Sequence, residues 1–321
     1  MNILILSCGI RVKIVEYFKK ALPGGKVIAT DCSKLAPALY AADGYYLVPP
    51  VTDDGYIDII LSICEKENIK GLFSLIDPEL SVLARNIERF AAKGATVIGS
   101  NYEICERCLD KWEMYQWLTA HGYNCAKTYK DQKSFDKAFE SSEISFPVIM
   151  KPVRGSASVA VEKVFDHARL EALFSDKGNE FIVQQFIDGL DLDVDAYIDM
   201  LSGEVVSIFM KQKLLMRAGE ADKAVSFYDE ELFGILKKFI EESGFRGAID
   251  IDAFKMADQF YISEVNPRFG GVYPHAYECG LDFPAFIVEN LSGFANRQLF
   301  PSYSTDVLMM KYPEIMTKNN H

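Results

Sequence analysis

Residues 248–268 read AIDIDAFKMADQFYISEVNPR. An apolar run, Ala248–Phe254, carries acids at Asp250 and Asp252. A turn at Ala257-Asp258-Gln259 leads into a second apolar run, Phe260–Val265, which contains Glu264 and is followed by Asn266 and Arg268. Two such strands form a hairpin that brings Asp252 near Glu264, and strand alternation puts Asn266 on the face of Glu264. Two carboxylates and an amide oxygen are the hard ligands Mg²⁺ takes, usually together with substrate phosphates. Arg268, two residues on, is placed to meet an anion forming there. The plainer reading is turn chemistry, since hairpins collect Asn, Asp and Gly. Against it, the acids are embedded in apolar runs, where an unpaired charge is costly. A metal or another cation is the better explanation.

The whole chain has 321 residues, enough for two or three lobes, and its 49% hydrophobic and 25% charged composition is that of a globular protein. No apolar run is long enough to cross a bilayer, and Met1–Ser7 reads as a first strand, not as a signal peptide. A cytoplasmic location and no membrane partner are expected. A net charge of −12 without a basic stripe argues against nucleic acid. Seven scattered cysteines suit a reducing compartment. Cys105 and Cys108 form a C-x-x-C with no second pair or nearby His, so they are expected to face the core from one helical turn.

Alternation marks the first hundred residues. Strand-like runs at Ile3–Ser7, Val27–Asp31, Tyr45–Val48, Gly71–Ser74 and Thr96–Ile98 are separated by helical patterns at Val12–Leu22, Tyr56–Glu67 and Leu80–Ala92. Such an order predicts a parallel α/β sheet covered on both faces. Its first turn, Ser7-Cys8-Gly9-Ile10-Arg11, lacks the three-glycine fingerprint, so NAD is rejected and Asp31 is read as a cap or turn residue. Asp77-Pro78-Glu79 reads as a plain helix start. Asp110-Lys111-Trp112-Glu113 opens another helix with the spacing of a capping box. A small α+β lobe follows, with a buried strand ending at Lys151 and then the loop Val153–Ser158. Beyond it come strands at Leu192–Asp199 and Val205–Gln212, a polar loop at Lys213–Lys223, a helix at Asp229–Ser243, the hairpin, and a helix near Phe283–Leu291.

Lys151 before a Gly/Ser loop suits phosphate, because small residues let backbone N–H groups approach closely. No P-loop pattern or nucleophile elbow is present. Taken in order, the lysines, the loop, the strand–turn Val183–Asp191 and the final Asp…Glu-x-Asn-x-Arg resemble the ATP-grasp superfamily. Within it, the chain is most similar to half of the carbamoyl-phosphate synthase large subunit. The likeness implies an ATP-grasp fold behind a Rossmann-like parallel-sheet domain. It divides the chain into residues 1–109 (N-terminal domain), 110–188 (central lid lobe), 189–295 (lobe with the metal site) and 296–321 (tail).

Carried onto this sequence, the resemblance implies Lys111 and Lys151 as phosphate-binding cations and Ser156 and Ser158 in the loop closing over the phosphates. It puts Gln184, Gln185 and Ile187 at the adenine hinge and Asp191 at the ribose. Asp252, Glu264 and Asn266 become ligands of Mg²⁺, or of Mn²⁺ in its place, and Arg268 faces the transferred phosphate. Asp250 shares the face of Asp252 and remains an alternative first ligand. Arg217 is a candidate for a substrate carboxylate. The implied activity is ATP-dependent joining of a small carboxylate to an amine through an acyl phosphate, by a protein that can form a homodimer. A kinase on the same fold and a non-catalytic ATP-binding regulator are the rivals. Removal of Arg268 is expected to leave folding near normal.

Overall fold

The computed structural model describes residues 1–155, 160–177, 180–217 and 219–318. The first five strands are β1 (Asn2–Leu6), β2 (Lys26–Asp31), β3 (Gly44–Leu47), β4 (Ile69–Ser74) and β5 (Thr96–Val97), all paired in parallel in the order β3-β2-β1-β4-β5. Their side chains alternate between two cores. Ile3 and Ile5 pack with Phe18 of helix α1 (Val12–Ala21), and Leu4 and Leu6 with Ile60 of α3 (Tyr56–Lys66). A sheet buried on both faces reads as continuous apolar runs, which is why its strands were visible in the sequence. The short α2 (Pro37–Ala41) was not expected. The single helix read over Leu80–Ala92 is two, α4 (Asp77–Ala84) and α5 (Ile87–Ala92). Between them, the Asn86 amide donates to Val82 O at 2.8 Å.

Glu79 of α4 is fully buried between the ends of β1 and β4, where it accepts from Ser7 Oγ at 2.7 Å, Ser74 Oγ at 2.5 Å and the Tyr56 hydroxyl. Burial, aided by Asp31, pushes its carboxyl up to about 7 against the Ser7 hydrogen bond. A folded-state value above the unfolded one gives stability that is full below about pH 4.5 and is lost as pH rises through 7. Across that window the group is worth roughly 3 kcal/mol. Glu79→Gln is therefore expected to flatten this component. The melting temperature difference between variant and parent, measured at pH 5 and pH 8, checks it.

Helix α6 (Tyr102–Leu109) starts at the Asn101 cap, and its Cys105 and Cys108 are both buried, as expected. In α7 (Lys111–Ala120) the Asp110 side chain accepts from Trp112 N and Glu113 N. A four-stranded antiparallel sheet then forms from β6 (Thr128–Tyr129), β7 (Val148–Pro152), β8 (Glu162–Val164) and β9 (Phe181–Gln185), in the order β6-β9-β7-β8. Helices α8 (Gln132–Glu140) and α9 (His167–Lys177) cover it around Phe135 and Leu170.

The third sheet is antiparallel and six-stranded. It comprises β10 (Leu190–Ile198), β11 (Val205–Arg217), β12 (Glu220–Phe227), β13 (Gly247–Met256), β14 (Gln259–Asn266) and β15 (Leu308–Met310), in the order β14-β13-β10-β11-β12-β15. Helix α10 (Glu230–Ser243) covers one face. On the other lie α11 (Tyr273–Glu278) and α12 (Phe283–Leu291), which also reach the core of α1. The polar loop expected at Lys213–Lys223 is instead the end of a hairpin, pairing Lys213 with Ala224 and Arg217 with Glu220. Leu214, Leu215 and Met216 are exposed there. Ladder hydrogen bonds rather than burial hold that end, so no apolar periodicity betrays it. The segment expected as a tail returns as β15 along β12. Among the described residues, no helix is long and apolar enough to cross a membrane.

Candidate active site

The three sheets meet around a cleft of about 550 Å³. The carboxyl end of β4 contributes Ile76 and Asp77, the four-stranded sheet contributes Lys151 and Gln184–Ile187, and the six-stranded sheet contributes Lys213, Asp252, Glu264, Asn266 and Arg268.

Lys111 begins α7, where the Asp110 cap fixes its backbone. Its Nζ donates to Gly155 O and lies 3.7 Å from Glu264 Oε2. Lys151 sits on β7 and is 8% exposed. Burial pushes its ammonium below the usual lysine range; nearby Glu264 opposes this and Lys111 adds to it. No described carboxylate lies within ion-pairing distance of it. A buried, unpaired cation on the cleft wall is a place prepared for an anion.

At the other wall, the Gln184 amide donates to Thr128 Oγ1 at 3.0 Å, and Gln185 N–H donates to Lys127 O at 2.8 Å. Gln185 Oε1 accepts from Lys127 N at 3.3 Å. Both glutamine side chains are thus committed to β6 and its approach. Strand β9 ends at Gln185, so the backbone of Phe186 and Ile187 lies beyond the ladder while both residues line the cleft.

In the hairpin, Asp252 lies opposite Glu264 and Asp250 opposite Asn266. The Asn266 Nδ2 donates to Asp250 Oδ2 at 3.2 Å, which leaves the amide oxygen as an acceptor. Asp252 is held by Lys213, which also pairs with Asp191 at 2.9 Å. Burial would lower the Lys213 ammonium, yet Asp252, Asp193 and Asp191 hold it above its ordinary range. Burial also raises the Asp191 carboxyl despite Lys213. The oxygens of Asp252 and Glu264 thus already attract cations, from Lys213 and Lys111. With the Asn266 oxygen they offer oxygen donors only, the ligand chemistry Mg²⁺ takes.

Arg268 is more firmly tied. Its Nε and Nη2 each lie 3.1 Å from an oxygen of Asp77, and Nη1 lies 3.3 Å from Asp250 Oδ2. Burial opposes the charge, but Asp77 and Asp250 together hold the guanidinium well above its ordinary range. Burial and the neighbouring Asp193 and Asp252 push the Asp250 carboxyl upward. Beneath lies Lys211, fully buried between Asp193 at 2.8 Å and Asp195. Burial raises Asp195 to about 6 even so. Oxygens of Asp193, Asp195 and Asp250 fall within 4.8 Å of one another, with Lys211 and Arg268 as their counter-charges. Gly270 is required here, since a Cβ would lie 2.6 Å from Asp250 Oδ1 and 2.9 Å from Asp195 Oδ1.

The cleft therefore brings together Lys111, Lys151, Gln184, Gln185, Ile187, Asp252, Glu264, Asn266 and Arg268. Asp191 is not among its lining residues and stands behind Lys213. Ser156 and Ser158 lie outside the described residues. Arg217 is also absent from the lining, with its side chain 73% exposed and 3.9 Å from Asp222. Arg217→Ala is expected to leave kcat/KM unchanged, because the side chain lies off the cleft wall; steady-state kinetics checks this. Of the residues that brace the site, the sequence reads Asp77 as part of a plain helix start and Lys211 and Lys213 as cations of the polar stretch near the active face, while Asp193 is not singled out. The alternating Asp191-x-Asp193-x-Asp195 and Lys211-x-Lys213 were legible as two charged strand faces, but not as partners.

Residues 108–272 match the model of the ATP-grasp domain, and residues 3–98 match that of the PylC-like N-terminal domain. Among curated proteins, the arginine-specific large chain of carbamoyl phosphate synthase from Bacillus subtilis (strain 168) is 23% identical over 246 residues. That match covers 73% of this chain but 23% of the relative, so the chain spans about a quarter of the protein it resembles. Among solved structures, a biotin carboxylase–βγ-ATP complex from Campylobacter jejuni superposes with a TM-score of 0.75 at 18% identity, covering 96% of this chain and 74% of that one. The ADP complex of N5-carboxyaminoimidazole synthetase from Staphylococcus aureus gives a TM-score of 0.74 at 15% identity, covering 92% and 78% respectively.

Proposed function

The chain belongs to the ATP-grasp family, and from that membership we propose that it is an ATP- and Mg²⁺-dependent ligase that activates a small carboxylate as an acyl phosphate and joins it to an amine. One observation carries the reading: two lysines, an arginine and an all-oxygen ligand set converge on a single cleft. Asp252, Glu264 and Asn266 would hold Mg²⁺, with Asp252 rather than Asp250 as the first ligand because Asp252 lies directly opposite Glu264 across the hairpin. When bound, the ion neutralises and aligns phosphate oxygens.

Lys111 and Lys151 bind the phosphates. The Phe186–Ile187 backbone and the apolar wall receive the base. Arg268 faces the phosphate in transfer, and its ties to Asp77 and Asp250 fix it before substrate arrives, so no reorganisation is needed at the moment of reaction. The substrate carboxylate attacks the γ-phosphorus and ADP leaves; the amine then attacks the acyl carbon and phosphate leaves. In this reading residues 1–109 form the N-terminal domain, 110–188 the lobe closing over the nucleotide, 189–295 the lobe with the metal hairpin and 296–321 the returning segment. Seven free cysteines favour the reducing cytoplasm.

A screen of carboxylate–amine pairs tests the proposal, with ADP release as the signal and product mass as confirmation. Mg²⁺-dependent ADP release that needs the carboxylate, with a hydroxamate formed when hydroxylamine replaces the amine, supports it. A stable phosphorylated hydroxyl product would point to a kinase instead.

A further inference from the structure

Charges of both signs, drawn from three distant parts of the chain, meet at the Arg268 end of the cleft. Arg11 follows β1, Glu220 opens β12, and Lys311 follows β15. Arg11 Nη2 lies 2.7 Å from Glu220 Oε1, and Lys311 Nζ lies 2.8 Å from Glu220 Oε2. Arg11 and Glu220 line the cleft, with side chains 22% and 34% exposed. Burial would raise the Glu220 carboxyl, but Arg11 and Lys311 hold it below its ordinary value, so it is ionised. Gly271, three residues beyond Arg268, backs the pair closely. A Cβ there would lie 2.7 Å from Arg11 Nη1 and 2.9 Å from Glu220 Cδ.

The pair faces the cleft, and among the described residues Glu220 is the only side-chain partner of Arg11, whose guanidinium carries five donors in a fork suited to a carboxylate. A plain anion on Arg11 would confront the Glu220 carboxylate, and a plain amine on Glu220 would confront Arg11. A ligand with both charges satisfies both groups, and discrimination against singly charged competitors follows from the repulsion they meet. Glu220 is not orphaned when Arg11 turns to the ligand, because Lys311 still holds its other oxygen.

We propose that Arg11 and Glu220 form the subsite for a free α-amino acid, Arg11 taking its carboxylate and Glu220 its ammonium, with Lys311 positioning Glu220. This rests on the ligase reading above, since it names one substrate class of that same cleft.

Isothermal titration of the full chain tests it. MgADP is titrated first, and the standard L-α-amino acids are then titrated in its presence. Propionate and ethylamine serve as singly charged analogues of L-alanine. At least one amino acid is expected to bind while both analogues fail. Arg11→Gln and Glu220→Gln are each expected to weaken that amino acid roughly tenfold or more, as for a lost charged hydrogen bond. Arg11→Lys is expected to recover part of the loss, and all variants to keep MgADP affinity. Lys311→Met, which loosens the same cluster without touching the ligand, should cost clearly less than Arg11→Gln. Equal losses in those two variants would make the cluster a strap and overturn the proposal. MgADP binding with no amino acid bound, or with the analogues bound as well, would overturn the subsite and leave the ligase reading standing. Failure of MgADP itself to bind would remove both.

Discussion

Arg268→Ala is expected to lower turnover by about 10²–10³, the usual cost of deleting one preorganised charge stabiliser. The guanidinium is held by two groups that do not themselves react, Asp77 and Asp250. That arrangement corrects the expectation of near-normal folding read from the sequence. Asp77 and Asp250 are only 7% and 6% exposed, and removing their shared cation leaves buried charge uncompensated, at a cost of roughly 3–5 kcal/mol. The pH sign follows. Loss of Arg268 raises the Asp250 carboxyl still further, and a raised acid loses stability as pH rises. The stability deficit of Arg268→Ala against the parent is therefore expected to shrink toward acid pH. Turnover must be compared under conditions where circular dichroism shows both proteins folded. Unchanged turnover in folded Arg268→Ala would remove its assigned role.

Lys151→Met is expected to separate activity from stability. The ammonium sits on β7 with burial as the dominant influence on it and no described ion-pair partner. Holding that charge disfavours the folded state, and methionine fills a similar volume without it. The variant is expected to melt no lower than the parent while losing on the order of 10²-fold in kcat/KM for ATP. Because the folded-state value of Lys151 is depressed, its penalty is full below that value and fades as pH rises toward the unfolded lysine range. The stability advantage of Lys151→Met is thus expected to narrow at alkaline pH. A variant that melts markedly lower would show that Lys151 has a structural partner in the folded protein; one with full activity would remove its phosphate role.

The legible parts of this protein are those where burial writes a period into the sequence. The parallel sheet buries both faces, so its strands are unbroken apolar runs. In β13 and at the end of β14 polar groups interrupt such runs at every second residue, which singled out Asp250, Asp252, Glu264 and Asn266. What stayed hidden depends on register and long-range return. Asp77 binds Arg268 across 191 positions of chain, and in the sequence it looks like any helix start beside a proline. Asp193 meets Lys211 across one strand pair and Asp252 across another, so its role needs the order of three strands. The Lys213–Lys223 stretch is strand because its backbone pairs, not because its side chains are buried. Lys311 reaches Glu220 only because β15 returns along β12.

Asp252 and Glu264 are expected to make nucleotide binding depend on Mg²⁺ in this cleft. Calorimetric titration of ADP, with Mg²⁺ and again with EDTA, tests it on the parent and on Glu264→Gln. The parent is expected to bind ADP much more tightly with Mg²⁺, and Glu264→Gln to lose most of that difference while still binding ADP. Parent affinity that is the same with Mg²⁺ and with EDTA, or a Glu264→Gln variant that keeps the full Mg²⁺ effect, would contradict it.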